Sequence, residues 1–126
     1  MSLASLFDEY EKLPEFKGMK LSRVDQKGHF GNAPLHIACV RGDLVEIHCL
    51  LEAGGDPNLK GEHGYTSLHY AVEHEHPEVV KTLLARGAAP DIKNDFFNRT
   101  PYEYAVAHNF QDIISIFNEV KKEAAH

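Results

Sequence analysis

The sequence predicts an all-α solenoid, in which units of two short helices and a projecting loop stack side by side. The main observation is a six-residue phrase that occurs as APLHIA at 33–38, as TSLHYA at 66–71 and, more loosely, as TPYEYA at 100–105. Other landmarks keep this step of 33 or 34 residues: Leu50-Leu51 with Leu83-Leu84, Gly54 with Gly87, and Asp25 with Asn58 and Asp91. A fixed period of this length is typical of repeat proteins, whose units become stable by stacking.

The composition is typical of a single globular domain in water. The chain has 126 residues, 43% of them hydrophobic and 25% charged, with a formal net charge of -6. This acidic balance argues against a nucleic-acid or anionic-lipid surface. No apolar run approaches the roughly 20 residues of a membrane span, and the N-terminus lacks the basic start of a signal peptide. We therefore expect a cytoplasmic protein without nucleic-acid or membrane partners, in which Cys39 and Cys49 are reduced core residues.

Each unit is expected to contain two helices followed by a finger-like loop. Early prolines, Thr66 and Thr100 indicate where the first helices begin, and Gly42, Gly54 and Gly87 where helices end. The first helices are predicted at 34–41, 67–74 and 101–108, and the second at 43–52, 77–85 and 110–122. The turn-rich stretches 55–65 and 88–99 should project as fingers.

The ends of the chain have helical patterns of their own. Leu3, Leu6, Phe7, Tyr10 and Leu13 follow helical spacing, which predicts an amphipathic cap helix ended by Pro14 and Gly18. At the other end, polar residues are expected to cover the outer face of the last helix. We divide the chain into an N-terminal cap (1–28), two repeats (29–61 and 62–94) and a degenerate repeat with C-terminal cap (95–126). Two covered ends favour a complete small protein or a bounded domain.

With these motifs in register, the chain resembles the ankyrin-repeat family. The phrases at 33–38 and 66–71 are similar to the family's T-P-L-H-x-A, residues 76–84 to its GHxEVVKLLL, and residues 54–58 to its G-A-D-x-N. The resemblance covers roughly Val24 to Phe117. It implies an ankyrin-repeat solenoid whose finger tips and first helices form one concave face that binds other proteins. It also implies that His36 and His69 tie neighbouring turns together by hydrogen bonds.

Several positions depart from the family pattern. Glu75 and Asn109 stand where the turn between the helices usually has Gly, so Glu75 is expected to carry backbone strain. Glu46 replaces an apolar residue while Val45 replaces an acid, which predicts a rotated second helix in that unit.

The fingers and the last phrase depart as well. Gly28 and Gly61 replace a finger Asp, and the two fingers should lose its side-chain hydrogen bond. In the last unit Glu103 replaces the phrase histidine, and the extra residue is placed between Ile92 and Asp95.

Catalytic and metal-binding motifs are missing from the sequence. It contains no G-x-S-x-G, phosphate loop or H-E-x-x-H, and neither cysteine has a recognisable histidine partner motif. Nine histidines suggest metal binding, but they are scattered over several units, as far as His126, without the convergence of three or four ligands that zinc requires. We expect no cofactor, no metal site and no enzyme. A metal-dependent enzyme is the weakest of the functional hypotheses.

A predicted binding strip follows from the family's contact positions. It combines aromatic, arginine, histidine and acidic side chains, a composition typical of interface hot spots. The alternative is that Phe96 or Phe97 packs back onto its own finger. The strip consists of His29, Phe30, Arg41, Glu62, His63, Tyr65, Glu73, His74, Phe96, Phe97, Arg99 and His108.

The preferred function is a non-catalytic, monomeric module that binds another protein through this strip. The alternative is a stand-alone inhibitor, such as a bacterial toxin-neutralising immunity protein, whose acidic charge would suit a basic partner. A neighbouring toxin gene would favour the inhibitor, whereas a parent chain with other domains would favour a scaffold module.

Overall fold

The computed structural model describes residues 1–124, and His126 lies outside that range. The described chain forms seven α-helices, without a strand. They are α1 (Leu3–Tyr10), α2 (Pro34–Arg41), α3 (Leu44–Glu52), α4 (Ser67–Glu73), α5 (Pro77–Ala85), α6 (Pro101–Ala107) and α7 (Gln111–Ala124). The predicted all-α class and the three helix pairs are confirmed.

The three helix pairs stack into one solenoid with a continuous core. Helices α2, α4 and α6, here called the inner helices, pack against one another in that order, and each also packs against its own second helix. At the two ends, α1 packs on α3 and α5 packs on α7. The core runs through all units and includes Leu6, Leu35, Leu50, Leu68 and Leu83.

The N-terminal cap helix is shorter than predicted. It ends at Tyr10, because the chain then turns: Lys12 and Leu13 donate backbone hydrogen bonds to Glu9 and Tyr10. The Glu11 carboxylate accepts the Leu21 N–H at 2.7 Å, which ties the returning chain to the end of the helix.

The phrase histidines tie the units together. Nδ1 of His36 accepts the Ala33 N–H at 2.9 Å, and its Nε2 lies 2.8 Å from the Leu59 carbonyl in the next finger. His69 has the same arrangement, with Nδ1 accepting the Thr66 N–H and Nε2 donating to the Arg99 carbonyl at 2.9 Å. A ring that accepts at Nδ1 and donates at Nε2 is neutral. The expected role of both histidines is therefore seen.

Glu103 replaces the phrase histidine where no further unit follows in the described chain. Its carboxylate accepts the Thr100 N–H at 3.0 Å, and its own N–H donates to the Thr100 hydroxyl at 3.1 Å. This capping box satisfies two backbone donors at the start of α6. Glu103 thus caps its own helix as the phrase histidines do, but within the described chain it has no next finger to bond.

A second periodic bond joins the units away from the histidines. The Asp25 carboxylate accepts the N–H of Asp56 at 3.1 Å, and the Asn58 side chain accepts that of Ala89 at 2.7 Å. The acceptors lie 33 residues apart, and so do the donors. The spacing of Asp25 and Asn58 in the sequence therefore reflects a bond from each unit to the next.

The turns between the paired helices use left-handed backbone. Gly42 has φ 71°, and a Cβ added there would lie 2.6 Å from the His76 ring, whose Nε2 lies 3.0 Å from the Val40 carbonyl. Glu75 and Asn109 have φ of 56° and 59° at the equivalent turns. The strained backbone expected at Glu75 is present, since this conformation costs a non-Gly residue about 1–2 kcal/mol.

The two cysteines differ in their surroundings. Cys39 is fully buried, and this burial raises the pKa of its thiol to about 12, which keeps it protonated and unreactive. Cys49 is only partly buried against the core.

The C-terminal end of the stack is less polar than the sequence suggested. Tyr102 and Val106 are 37% and 51% exposed, although the equivalent Leu68 and Val72 of the preceding unit are fully buried. Within residues 1–124, none of the helices is both long enough and apolar enough to cross a membrane.

The histidine ties predict that the fold weakens in acid. Burial holds the pKa of His36 and of His69 below the ordinary value for histidine. The unfolded chain therefore takes up protons first, and stability is lost as the pH falls below about 6.5 toward the lowered folded pKa. Between pH 7.5 and pH 5.5, urea unfolding should show a total decrease of up to about 1.4 kcal/mol for each histidine.

The exposed His48 supplies the control for this experiment. His36→Gln should flatten the pH dependence, whereas His48→Gln should leave it unchanged. Equal pH slopes in both variants would contradict the assignment.

Candidate protein-binding face

The finger tips are closed by one backbone hydrogen bond each. Gly28 donates to the Asn32 carbonyl, Gly61 to that of Tyr65, and Asn94 to that of Arg99, at 2.7–2.9 Å. The closed loops span 28–32, 61–65 and 94–99, so the extra residue lies within the third tip, beyond Asn94. The predicted position between Ile92 and Asp95 is corrected accordingly. The inserted residue lengthens the tip that carries Phe96 and Phe97.

Side chains from elsewhere replace the missing finger aspartates. The buried Glu15 carboxylate accepts the Phe30 N–H at 2.6 Å, and the Asn32 side chain accepts the Glu62 N–H at 3.1 Å. A Cβ on Gly28 would lie 2.3 Å from the Glu15 carbonyl oxygen. The expected loss of a side-chain hydrogen bond is therefore wrong, because the glycines leave room for the groups that supply it.

The third finger keeps its own polar anchor. The Asn94 side chain is buried and accepts the N–H groups of Phe97 at 3.0 Å and of Arg99 at 3.3 Å. The tip is also bonded to the second finger, since Asp95 donates to the His63 carbonyl at 2.8 Å. These bonds fix the backbone beneath the aromatic side chains.

Four side chains of the second and third tips form what we call the tip cluster: His63, Phe96, Phe97 and Arg99. Phe96 and Phe97 are 58% and 57% exposed and meet edge to face, with ring centroids 4.6 Å apart. The His63 ring lies 4.9 Å from Phe96, and the Arg99 guanidinium lies 5.6 Å from the centre of the Phe97 ring. The rings pack on one another and present apolar surface to solvent.

Beside the tip cluster lie three tyrosines and one carboxylate; we call Tyr65, Tyr70, Tyr104 and Glu73 the tyrosine row. Tyr65 and Tyr70 have ring centroids 5.2 Å apart, and the Tyr70 hydroxyl donates to Asn32 at 2.7 Å. Burial, then the neighbouring Glu73 carboxylate, raise the pKa of Tyr65 to about 12. Burial and Glu73 also raise the pKa of Tyr104. Glu73 follows Tyr70 by three residues on α4 and therefore lies on the same face of that helix, next to the tyrosines.

Of the remaining residues of the predicted strip, Glu62, His74 and His108 lie beside the tyrosine row, whereas His29 and Phe30 lie on the first tip. Glu62 is partly buried beside Asn32, His74 ends α4 with its Nε2 3.9 Å from Glu73, and the exposed His108 stacks on Tyr104 at 4.2 Å. His29 and Phe30 lie on the first tip, where Phe30 is 57% exposed and the His29 ring is within 2.7 Å of the Lys17 carbonyl.

Arg41 has a different environment from the rest of the strip. Its guanidinium lies 3.4 Å from the buried Glu46 carboxylate and 5.4 Å from the centre of the Tyr10 ring. The Tyr10 hydroxyl donates to Glu46 at 2.6 Å, and Val45 is exposed. The exchanged Val45 and Glu46 therefore place a buried acid against the cap helix, where Arg41 supplies the counter-charge and Tyr10 a hydrogen bond.

Tyr70 and Tyr104 were missing from the predicted strip. Both occupy the variable fifth position of the phrase. Glu73 and Ala107 follow them by three residues, about one helical turn later. Spacing of three or four residues on a helix identifies one face, so this signal was present in the sequence.

The described residues do not gather the side chains that a metal ion needs. Among residues 1–124, no three His, Cys, Asp or Glu side chains converge on a point that could hold a metal ion. The predicted strip presents exposed aromatic rings on a hydrogen-bonded backbone, a composition typical of protein interfaces.

Comparison with known proteins identifies the family. The model for ankyrin repeats (3 copies) matches residues 2–94, and the chain belongs to the ankyrin-repeat family. Ankyrin repeats generally mediate protein–protein interaction.

The similar proteins include regulators and enzymes. The chain is 31% identical over 109 residues to protein phosphatase 1 regulatory subunit 27 of Mus musculus. This match covers 86% of this chain and 70% of that protein. It is 42% identical over 65 residues to the ADP-ribosylation factor GTPase-activating protein AGD4 of Arabidopsis thaliana, covering 52% of this chain and 8% of that protein. It is 38% identical over 81 residues to an L-asparaginase of Dirofilaria immitis, covering 64% of this chain and 14% of that protein.

The position of Arg41 predicts a structural effect. Arg41→Ala leaves the buried Glu46 without its counter-charge and should lower the free energy of unfolding by about 1–2 kcal/mol. Arg86→Ala is the control, because Arg86 pairs with the exposed Glu52 at 3.0 Å and should cost less than about 0.5 kcal/mol. Equal losses in urea unfolding would contradict a special role for Arg41.

Proposed function

We propose that this protein is a non-catalytic, monomeric module that binds another protein through its finger tips and inner helices. The observation that carries the proposal is the exposure of Phe96 and Phe97 on a tip held by the Asn94 side chain. Apolar side chains that already occupy their bound positions lose little conformational entropy on binding. The tip cluster is therefore the anchor, and the tyrosine row extends the contact surface.

The alternative reading of the two phenylalanines finds no support in the structure. A ring that packed back onto its own finger would be buried, whereas more than half of each side chain is exposed. Exposed aromatic groups of this kind, beside an arginine, are the side chains that dominate the energetics of interfaces.

A second candidate is a module that regulates an enzyme by binding it. The likeness to protein phosphatase 1 regulatory subunit 27 supports this candidate, since the match covers most of both chains. This candidate includes the inhibitor predicted as the alternative function, but its target need not be a toxin. Regulation would use the same binding face, so the two candidates differ in the partner and its response.

The proposed function predicts that partner capture depends on the tip cluster. Immobilised wild type should retain a partner from a lysate of the source organism, and the double variant Phe96→Ala, Phe97→Ala should weaken its binding by about 2 kcal/mol, roughly 30-fold. The matched control is Tyr102→Ala, Val106→Ala, which removes exposed apolar side chains from the other end of the third unit. Equal retention by both double variants, measured by mass spectrometry and titration, would overturn the assignment.

A further inference from the structure

We propose that the tyrosine row is a subsite for an arginine side chain of the partner protein. The inference rests on the proposed function, and it specifies a chemical feature that the partner must carry. Its basis is the juxtaposition of three aromatic faces with one carboxylate on the binding face.

The geometry of the row comes from the stacking of the units. Tyr70 and Tyr104 occupy equivalent positions on α4 and α6, which pack directly against each other. Tyr65 lies at the end of the second finger, 5.2 Å from Tyr70 between ring centroids. Glu73 is on the turn of α4 that follows Tyr70. The four side chains thus come from neighbouring elements of two adjacent units.

Each ring is partly exposed and held in place by a neighbour. The Tyr70 hydroxyl donates to Asn32, and its ring meets that of His36 at 5.7 Å. Tyr65 also packs on His69 at 5.3 Å, and Tyr104 stacks on His108 at 4.2 Å. These contacts restrain the rings, so a ligand would bind them with little further ordering of the side chains.

The local charge favours a cation. Glu62, Glu73 and Glu15 lie near enough to Tyr70 to raise its pKa in addition to the larger effect of burial. At Tyr104, after burial, Glu73 and Glu75 raise the pKa while Arg99 lowers it.

The positive groups around the row are His74 and His108, which border it, and Arg99 and Lys60. Arg99 lies over Phe97, and Lys60 is 3.8 Å from Asp95, so both cations already have partners. His74 approaches Glu73 to 3.9 Å. An incoming cation would therefore meet carboxylates and ring faces, both of which attract it.

Arginine fits this site better than lysine. Its planar guanidinium can stack on a tyrosine face while its N–H groups donate to the Glu73 carboxylate, whereas an ammonium makes only a point contact. The tip cluster adjoins the row, because Asp95 bonds to His63, two residues before Tyr65. A partner segment with an arginine in the row would place a nearby apolar residue on Phe96 and Phe97.

Peptide selection tests this inference directly. Random linear peptides displayed on phage would be selected against the wild-type protein, resynthesised, and titrated with arginine or with its neutral isostere citrulline. We expect the selected peptides to contain an arginine at a fixed distance from an apolar residue. Citrulline at that position should weaken binding at least about tenfold, and lysine should weaken it less.

Variants locate the effect on the protein. Glu73→Gln and Tyr104→Leu should reduce binding of the arginine peptide without changing that of the citrulline peptide. The controls are Glu78→Gln, which removes an exposed acid 3.2 Å from Lys81 on α5, and Tyr102→Leu on the other face of α6. Both controls should bind like wild type, and circular dichroism checks that every variant is folded.

The outcomes separate this inference from the proposed function. Peptides that require Phe96 and Phe97 but bind equally with citrulline, or equally to Glu73→Gln, would overturn the arginine subsite and leave the protein-binding face in place. Peptides that are unaffected by Phe96→Ala, Phe97→Ala would overturn the proposed function instead. A selection that yields no binding peptide would contradict both.

Discussion

The neutral, buried imidazole between neighbouring units is the interaction on which the rest of the structure depends. His36 and His69 each accept a backbone N–H at the start of their own helix and donate to a carbonyl of the next finger. One side chain therefore begins an inner helix and also fixes the position of the next finger. A unit of two short helices cannot bury its apolar face alone, so this bond between units also positions the proposed binding face.

Hydrogen bonds beneath the fingers convert this scaffold into a surface with defined side-chain positions. Glu15, Asn32 and Asn94 are all buried, and each accepts backbone N–H groups of a finger tip. Because these hydrogen bonds hold the backbone of the finger tips, the aromatic side chains can remain exposed there and do not collapse onto the core. The positions of the tip cluster and the tyrosine row thus depend on buried polar groups. The same stack can carry other side chains at these exposed positions.

The period of the sequence predicts the fold almost completely, because it reports the helix ends and the apolar core positions that every unit shares. It predicts the exposed tips through the same alignment. It fails where a residue's partner lies in another unit. Glu46 pairs with Tyr10, 36 residues away, and with Arg41, contacts that the repeat spacing does not predict. Glu15 replaces the side chain missing at Gly28, and the hydrogen-bond pattern, not the repeat spacing, places the extra residue in the third tip. Tyr70 and Tyr104 were overlooked because the phrase was interpreted only as scaffold.

The central claim is that binding occurs on the fingers and inner helices, and hydrogen–deuterium exchange of the protein with and without its bound partner tests it most directly. The account predicts slower exchange in the tips 61–65 and 94–99 and in α4 and α6, with α3, α5 and α7 unchanged. Protection confined to the second helices α3, α5 and α7, with no change in the finger tips, would contradict it.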